Sequence, residues 1–296
     1  MNVARTKREL RAALEPARRA GRTIGLVPTM GAFHDGHLSL IRAARERCDV
    51  VVVSLFVNPT QFGPGEDLDA YPRDEARDVA LAEAERVDVV YAPTADEVYP
   101  EGFATVVEVV GCLTEVLEAD PERRGREHFR GVTTVVAKLL GSVGPDVAFF
   151  GQKDAQQALV VRRMVRDLDI PVEVAVLPTV RESDGLAMSS RNAYLDPAER
   201  ARAAALSRAL RAAEAAAAGG ERSTGAALAA ARAELEAAGI EPEYLEARDA
   251  ADLAPAESFN GRPVLVAVAA RVGRARLIDN VVIGEQPGET DQQEMT

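Results

Sequence analysis

The stretch Val50-Val-Val-Val-Ser-Leu-Phe-Val57 is apolar at seven of its eight positions. A strand with one wet face alternates apolar and polar residues, so a continuous run of this kind reads as a strand buried on both faces. Parallel sheets contain such strands. Shorter runs with the same character occur at Thr23–Pro28, Asp88–Ala92, Val147–Phe150 and Val172–Leu177. Helical spacing fills the intervals, at 5–20, His37–Cys48, 74–87, Val132–Val143 and Asp154–Asp169. The repeated strand–helix–strand order predicts an α/β fold, a Rossmann-like doubly wound parallel sheet. Ligands of such sheets sit beyond the carboxyl ends of the strands.

Segment 94–130 interrupts this rhythm and is expected to add a hairpin or small lobe. Near residue 197 the composition shifts: 20 of the 41 residues from Ala198 to Ala238 are alanine, broken at Gly219-Gly220. That favours two helices. Tyr244–Arg248, Pro263–Val272 and Arg276–Ile283 read as strands, the last two as a hairpin around Gly273. The expected organisation is a first domain over residues 1–182 and a smaller C-terminal α+β domain over 183–284. Residues 285–296, with four acids and no base, are expected to be a disordered tail.

A chain of 296 residues can bury about three quarters of its unfolded surface and needs no disulfide or metal to fold. Its net charge of −12 is opposite to that of a general nucleic-acid binder. Cys48 and Cys112 form neither a zinc pattern nor a disulfide framework and are expected as small buried hydrophobes. There is no apolar stretch of membrane-spanning length, and the basic N-terminus lacks the apolar region of a signal peptide. No nucleic-acid or membrane partner is expected, and the expected location is the cytoplasm.

Chemistry-bearing residues gather where the predicted strands end. Thr29-Met-Gly-Ala-Phe-His-Asp-Gly-His37 joins the first strand to a helix. If His37 starts that helix, His34 and His37 lie at its N-terminus, where backbone N–H groups favour phosphate and the positive helix end keeps the imidazoles neutral. Gly31 and Gly36 would let the backbone approach a nucleotide. Gly151-Gln-Lys-Asp154 occupies the equivalent position after another strand. Lys153 can neutralise phosphoryl charge, and Asp154 taken alone reads as an N-cap. Met188-Ser-Ser-Arg191 offers two hydroxyls and a guanidinium to a polyphosphate. Asn58, Gln61 and Gln157 can bind carboxylates and hydroxyls. His128, with Arg126 and Arg130, reads as a mobile anion-binding segment.

Together these elements resemble the pantothenate synthetase (pantoate–β-alanine ligase) family, within the His-x-Gly-His nucleotidyltransferase superfamily. The residues that carry the likeness are Val27–His37, Phe56-Val-Asn-Pro-Thr-Gln-Phe62, Tyr71-Pro-Arg73, His128-Phe-Arg-Gly131, Phe150–Asp154 with Gln157, and Asp184–Asn192, in the family's order. Phe33 stands where leucine is common and Asp35 where glutamate is common. The resemblance implies a two-step ligase. ATP and pantoate give pantoyl adenylate and pyrophosphate; β-alanine then displaces AMP. By matching position, Pro28, Met30, His34, His37, Gly151, Lys153, Asp154, Val180, Met188, Ser189, Ser190 and Arg191 are implied to bind ATP. His37, His34 and Lys153 are implied to be catalytic. Gln61, Gln157, Asn58 and His128 are implied to serve the substrates. The family also implies Mg²⁺, with no protein ligand assigned, a homodimer, and a C-terminal domain that covers the nucleotide through a hinge near 180–190. An adenylyltransferase of the same superfamily and a non-catalytic nucleotide-binding protein are the alternative readings. Turnover of ATP with release of AMP and a requirement for an amine would separate them.

Overall fold

A computed structural model of the chain describes residues 1–63, 68–120 and 123–284. It contains two compact units. The first is Met1–Val180 with Met188–Ser190; the second is Arg181–Ala187 with the chain from Arg191 onward.

The first unit is built on a six-stranded parallel sheet. Its strands are β1 (Asn2–Ala4), β2 (Ile24–Thr29), β3 (Val50–Leu55), β4 (Val89–Tyr91), β5 (Val147–Gly151) and β6 (Glu173–Leu177), in the order β1-β4-β3-β2-β5-β6. Its helices are α1 (Lys7–Arg19), α2 (Asp35–Arg47), α3 (Glu75–Ala84), the short α4 (Ala95–Val98), α5 (Gly125–Val143) and α6 (Ala155–Asp167). The valine run behaves as its composition demands. Val50 and Val52 join one apolar cluster, with Leu10, Leu14, Leu139 and Met164 of α1, α5 and α6. Val51 and Val53 join another, with Leu38, Ile41 and Ala82 of α2 and α3. Burying each such side chain contributes about 1.5–3 kcal/mol, and here both faces of β3 contribute. The chain order reverses between β2 and β5, the kind of switch point at which open α/β sheets bind ligands.

Helix ends follow local chemistry. Thr6 and Glu9 form a reciprocal capping box at α1. Gly144 closes α5 in the left-handed conformation, φ +54°. Segment 94–130 departs from expectation: among its described residues there is no hairpin. It holds α4, an extended stretch, two 3₁₀ turns (Cys112–Thr114 and Leu117–Ala119) and the first turns of α5. The polar sequence Gly125–Gly131 had concealed helix, because the face it buries carries His128 and Gly131 beside Phe129. Strand β1 was also not anticipated. Three residues are too few to show a period, yet they pair in register with β4.

The second unit packs α7 (Pro197–Ala203), α8 (Ala205–Ala218) and α9 (Thr224–Ala237) on an antiparallel sheet of β7 (Pro242–Asp249), β8 (Val264–Val272) and β9 (Ala275–Ile283). The Ala-rich stretch thus forms three helices, not two. The break at Ala204 has no glycine or proline to announce it. Ala205, Ala209 and Ala213 of α8 share a core with Ala227 and Ala231 of α9, all essentially unexposed. Segment 181–187 is fastened to β9 by a two-pronged ion pair between Arg181 and the buried Asp279, at 2.6 and 3.0 Å. The expected disordered tail, 285–296, lies outside the described residues.

Candidate active site

Strands β3, β2 and β5 are adjacent and parallel, so the turns that follow them emerge on one edge of the sheet. Those turns are Asn58–Gln61, Met30–His34 and Gln152–Asp154. Four of the segments singled out from sequence belong to this first unit: these three turns, and Met188–Ser190.

The histidine turn differs in one respect from expectation. Helix α2 begins at Asp35, and His34 rather than His37 occupies the N-cap. The Gly36 N–H donates to His34 Nδ1 at 3.2 Å. In its neutral form His34 therefore carries its proton on Nε2. A Cβ at residue 36 would stand 2.9 Å from the His34 ring, so Gly36 lets that ring fold back over the first helical turn. His37 follows one turn later. The two rings are 4.2 Å apart between centroids, inclined by 32°.

Burial, then the charges of His34 and Lys153, push the His37 imidazole down from 6.5 to about 3. His37 is thus neutral for a different main reason than the helix end invoked from sequence. Its Nδ1 is buried and has no hydrogen-bond partner. That Lys153 acts on His37 also ties the turn after β5 to the turn after β2. Lys153 is four-fifths buried and stands 3.8 Å from Asp154. Asp154 occupies the N-cap position of α6, but its side chain makes no capping bond, contrary to the simple reading of its sequence position.

The amides divide by environment. Gln61 is buried, and its Nε2 donates to Met30 Sδ at 3.0 Å. Its Oε1 accepts from Asn58 Nδ2 at 3.1 Å. Asn58, 1% exposed, also donates to the Gly131 carbonyl and accepts from the hydroxyls of Thr60 and Tyr99. Both protons of its amide are engaged within the protein. His128, read from sequence with Arg126 and Arg130 as an anion-binding segment, is a buried residue of α5. Its Nδ1 lies 2.7 Å from the Gln61 carbonyl. A carbonyl only accepts, so Nδ1 is the protonated nitrogen and Nε2 accepts from Arg124 at 3.2 Å. Asn58 and His128 both hold Gln61. Gln157, in the first turn of α6, is half-buried, and its side chain makes no hydrogen bond among the described residues. Its neighbour Gln156 is buried, accepting from Glu118 N–H and donating to the carbonyls of Leu113 and Val116.

Pro28, half-buried, is the penultimate residue of β2, and Gly151 ends β5. The Val180 carbonyl accepts from Met188 N–H at 3.0 Å. Met188 Cβ lies 3.7 Å from where a Cβ on Gly36 would be, which seats it beside the histidine turn. Ser190 Oγ is 3.4 Å from the Tyr71 hydroxyl, and Ser189 precedes it in the same unit. Arg191 belongs to the second unit.

Two residues that sequence reasoning passed over grip this turn from α3. Asp78, 1% exposed, accepts from the N–H groups of Ala32 and Phe33 at 2.8 and 2.7 Å. Burial raises its carboxyl pKa, and the two N–H bonds pull it back. Arg77 donates to the Phe33 carbonyl at 3.0 Å. The available signal was a carboxylate at 78 on the same helical face as the apolar Ala82, four residues on.

Among the described residues, no group of three or more His, Cys, Asp or Glu converges as a metal site. Both cysteines are free, Cys48 buried and Cys112 half-buried. No described helix is long and apolar enough to cross a membrane.

The sequence profile described as Pantoate-beta-alanine ligase matches residues 2–282. The chain belongs to the pantoate–β-alanine ligase family. It is 54% identical over 287 residues to pantothenate synthetase 1 of Bradyrhizobium diazoefficiens, covering 97% of this chain and 100% of that protein. The crystal structure of pantothenate synthetase from Thermus thermophilus is similar with a TM-score of 0.90 at 48% identity, over 96% of this chain and 100% of that one. A pantoate-beta-alanine ligase from Francisella tularensis, solved in complex with beta-gamma ATP and beta-alanine, is similar with a TM-score of 0.79 at 31% identity, over 95% of this chain and 97% of that one.

Proposed function

We infer that the chain performs the ATP-dependent condensation of pantoate with β-alanine through a pantoyl adenylate, and that the edge of the sheet around β2 is where it does so. The observation that carries this placement is the pair of stacked imidazoles, His34 and His37, with His37 held neutral by burial and by the nearby charge of Lys153.

Adenylation needs no general base, since pantoate is a carboxylate at neutral pH. A carboxylate oxygen attacks the α-phosphorus, and the bond to the β-phosphate breaks with release of pyrophosphate. The protein must align these atoms and stabilise charge as it moves onto phosphoryl oxygens. A neutral imidazole donates a hydrogen bond through its one N–H without carrying charge. His34 offers Nε2–H. His37 is the donor proposed to face the breaking bond. Lys153 supplies fixed positive charge, and Met188, Ser189 and Ser190 are proposed with Pro28, Met30, Gly151, Asp154 and Val180 to bind the nucleotide; an ATP-binding role for Arg191 rests on the family resemblance alone.

Gln61 and Gln157 are proposed to hold pantoate, Gln61 through a side-chain amide oriented by Asn58 while His128 holds its main-chain carbonyl. In the second step the β-alanine nitrogen attacks the acyl carbonyl, the C–O bond to AMP breaks, and the amine proton passes to solvent. No enzyme nucleophile is required.

Mg²⁺ belongs to the proposal as an ion brought by the ATP phosphates, which commonly supply most of its ligands. A homodimer and closure of the second domain over the nucleotide rest on the family resemblance. A cytoplasmic location is proposed from the acidic net charge. The test is turnover with ATP, pantoate and β-alanine, each omitted in turn. AMP, pyrophosphate and pantothenate are expected only with all three at steady state. ADP as product, or AMP release indifferent to pantoate, overturns the reading.

A further inference from the structure

The turn that carries His34 is held in a conformation that one of its residues, Ala32, disfavours. Gly31 has φ +87° and Ala32 φ +53°. A left-handed backbone costs a residue with a Cβ roughly 1–2 kcal/mol. Backbone N–H groups gathered in this way form a concavity suited to an anion. Here the anion comes from the protein itself. Asp78 Oδ2 accepts from Ala32 N–H and Oδ1 from Phe33 N–H, one oxygen for each donor. A Cβ at residue 31 would stand 2.9 Å from Asp78 Oδ2 and 2.7 Å from Leu55 Cδ1. Gly31 therefore makes room for the carboxylate.

Arg77 completes the grip at the Phe33 carbonyl, so the residue before His34 is fixed at both its N–H and its C=O. The clamp is itself anchored. Asp74 caps α3 through the Arg77 N–H at 3.0 Å, and Phe33 shares an apolar cluster with Ala82.

We infer that Asp78 and Arg77 are positioning residues for adenylation: α3 locks Ala32 and Phe33, and this fixes the N-cap geometry of His34 and with it the stacked histidine pair. The inference rests on the adenylation reading above and adds to it two side chains that bond backbone groups of the turn. It requires a carboxylate at 78. An asparagine there presents one acceptor and one donor to two N–H donors, and so must release one of them. It also requires a donor at 77.

The experiment uses the full chain and separates the half-reactions. Single-turnover pyrophosphate release with saturating ATP and pantoate reads adenylation. Pantothenate formation from supplied pantoyl adenylate and β-alanine reads transfer. Displacement of a catalytic group by about an ångström costs on the order of 10²-fold, so Asp78→Asn is expected to slow adenylation by about that factor. Arg77→Met, at an exposed position, removes the donor to the Phe33 carbonyl and the cation beside Asp78, and is expected to slow it about tenfold. Transfer stays within about twofold of the wild-type rate in both, and Arg77→Lys recovers part of the loss. If Asp78→Asn does not fold, Arg77→Met decides. Adenylation at the wild-type rate in the folded variants overturns the inference, and so does an equal fall in both half-reactions. A wild-type chain that releases no pyrophosphate overturns the adenylation reading instead, before any variant is compared.

Discussion

His34 and His37 lie ring against ring, 4.2 Å between centroids, with the Gly36 N–H bonded to the first and no partner on the buried Nδ1 of the second. One imidazole is therefore fixed in orientation and tautomer by the backbone. The other is fixed in charge by what surrounds it.

The charge state has a consequence for pH. His37 titrates at about 3 in the folded chain and near 6.5 when unfolded. Between those values the unfolded chain binds the extra proton, so this group makes stability fall as pH drops from about 6.5 toward 3. His37→Gln should lose less stability than wild type between pH 7 and 4.5, measured by urea unfolding midpoints. Equal losses would contradict the burial of a neutral imidazole.

Removing the His37 donor should slow single-turnover adenylation by about 10²–10³, or roughly 3–4 kcal/mol. In His37→Ala, supplied pantoyl adenylate should restore most of the β-alanine step, which expels no pyrophosphate. Equal damage to both halves in a folded variant would remove His37 from that role.

Gln156 and Gln157 are chain neighbours with opposite expected behaviour. Gln157→Ala should leave the melting temperature near wild type and ATP binding intact, while raising the pantoate KM for adenylation. Gln156→Ala abandons Glu118 N–H and two carbonyls, at about 1–3 kcal/mol for each group left without a partner. Calorimetry and half-reaction kinetics on the two variants check both halves of the contrast.

Gly131 is where α5 meets the turn that carries Gln61. A Cβ there would stand 2.3 Å from the Thr60 carbonyl oxygen and 2.7 Å from Gln61 N. Gly131→Ala should cost about 1–3 kcal/mol of stability through overpacking and should displace Gln61. The expected signature is a larger rise in pantoate KM than in ATP KM, read by steady-state kinetics. A variant with unchanged pantoate KM would separate Gln61 from that substrate.

Much of this was legible in sequence because it is repetitive or local. The valine run of β3 requires two covered faces whatever surrounds it, and it receives them. The histidine turn announced itself by two rare residues at the end of an apolar run. What stayed hidden depends on partners distant in the chain. Asp78 is an ordinary helix carboxylate until Ala32 and Phe33, 46 and 45 residues earlier, turn their N–H groups toward it. His128 looked like one of several surface cations because its partner, the Gln61 carbonyl, lies 67 residues away. Nothing in the pair Gln156-Gln157 says which amide faces inward, since the two short 3₁₀ turns that Gln156 pins are too brief to show a period of their own.

The central claim is that pantoate attacks the α-phosphorus of ATP. Pantoate carrying heavy oxygen in its carboxylate tests this in one turnover, with AMP examined by mass spectrometry. The carboxylate oxygen that bonds to phosphorus leaves with AMP when β-alanine takes the acyl group, so each AMP should carry one heavy oxygen. Unlabelled AMP formed alongside pantothenate would contradict the adenylate route and with it the role assigned to the histidine pair.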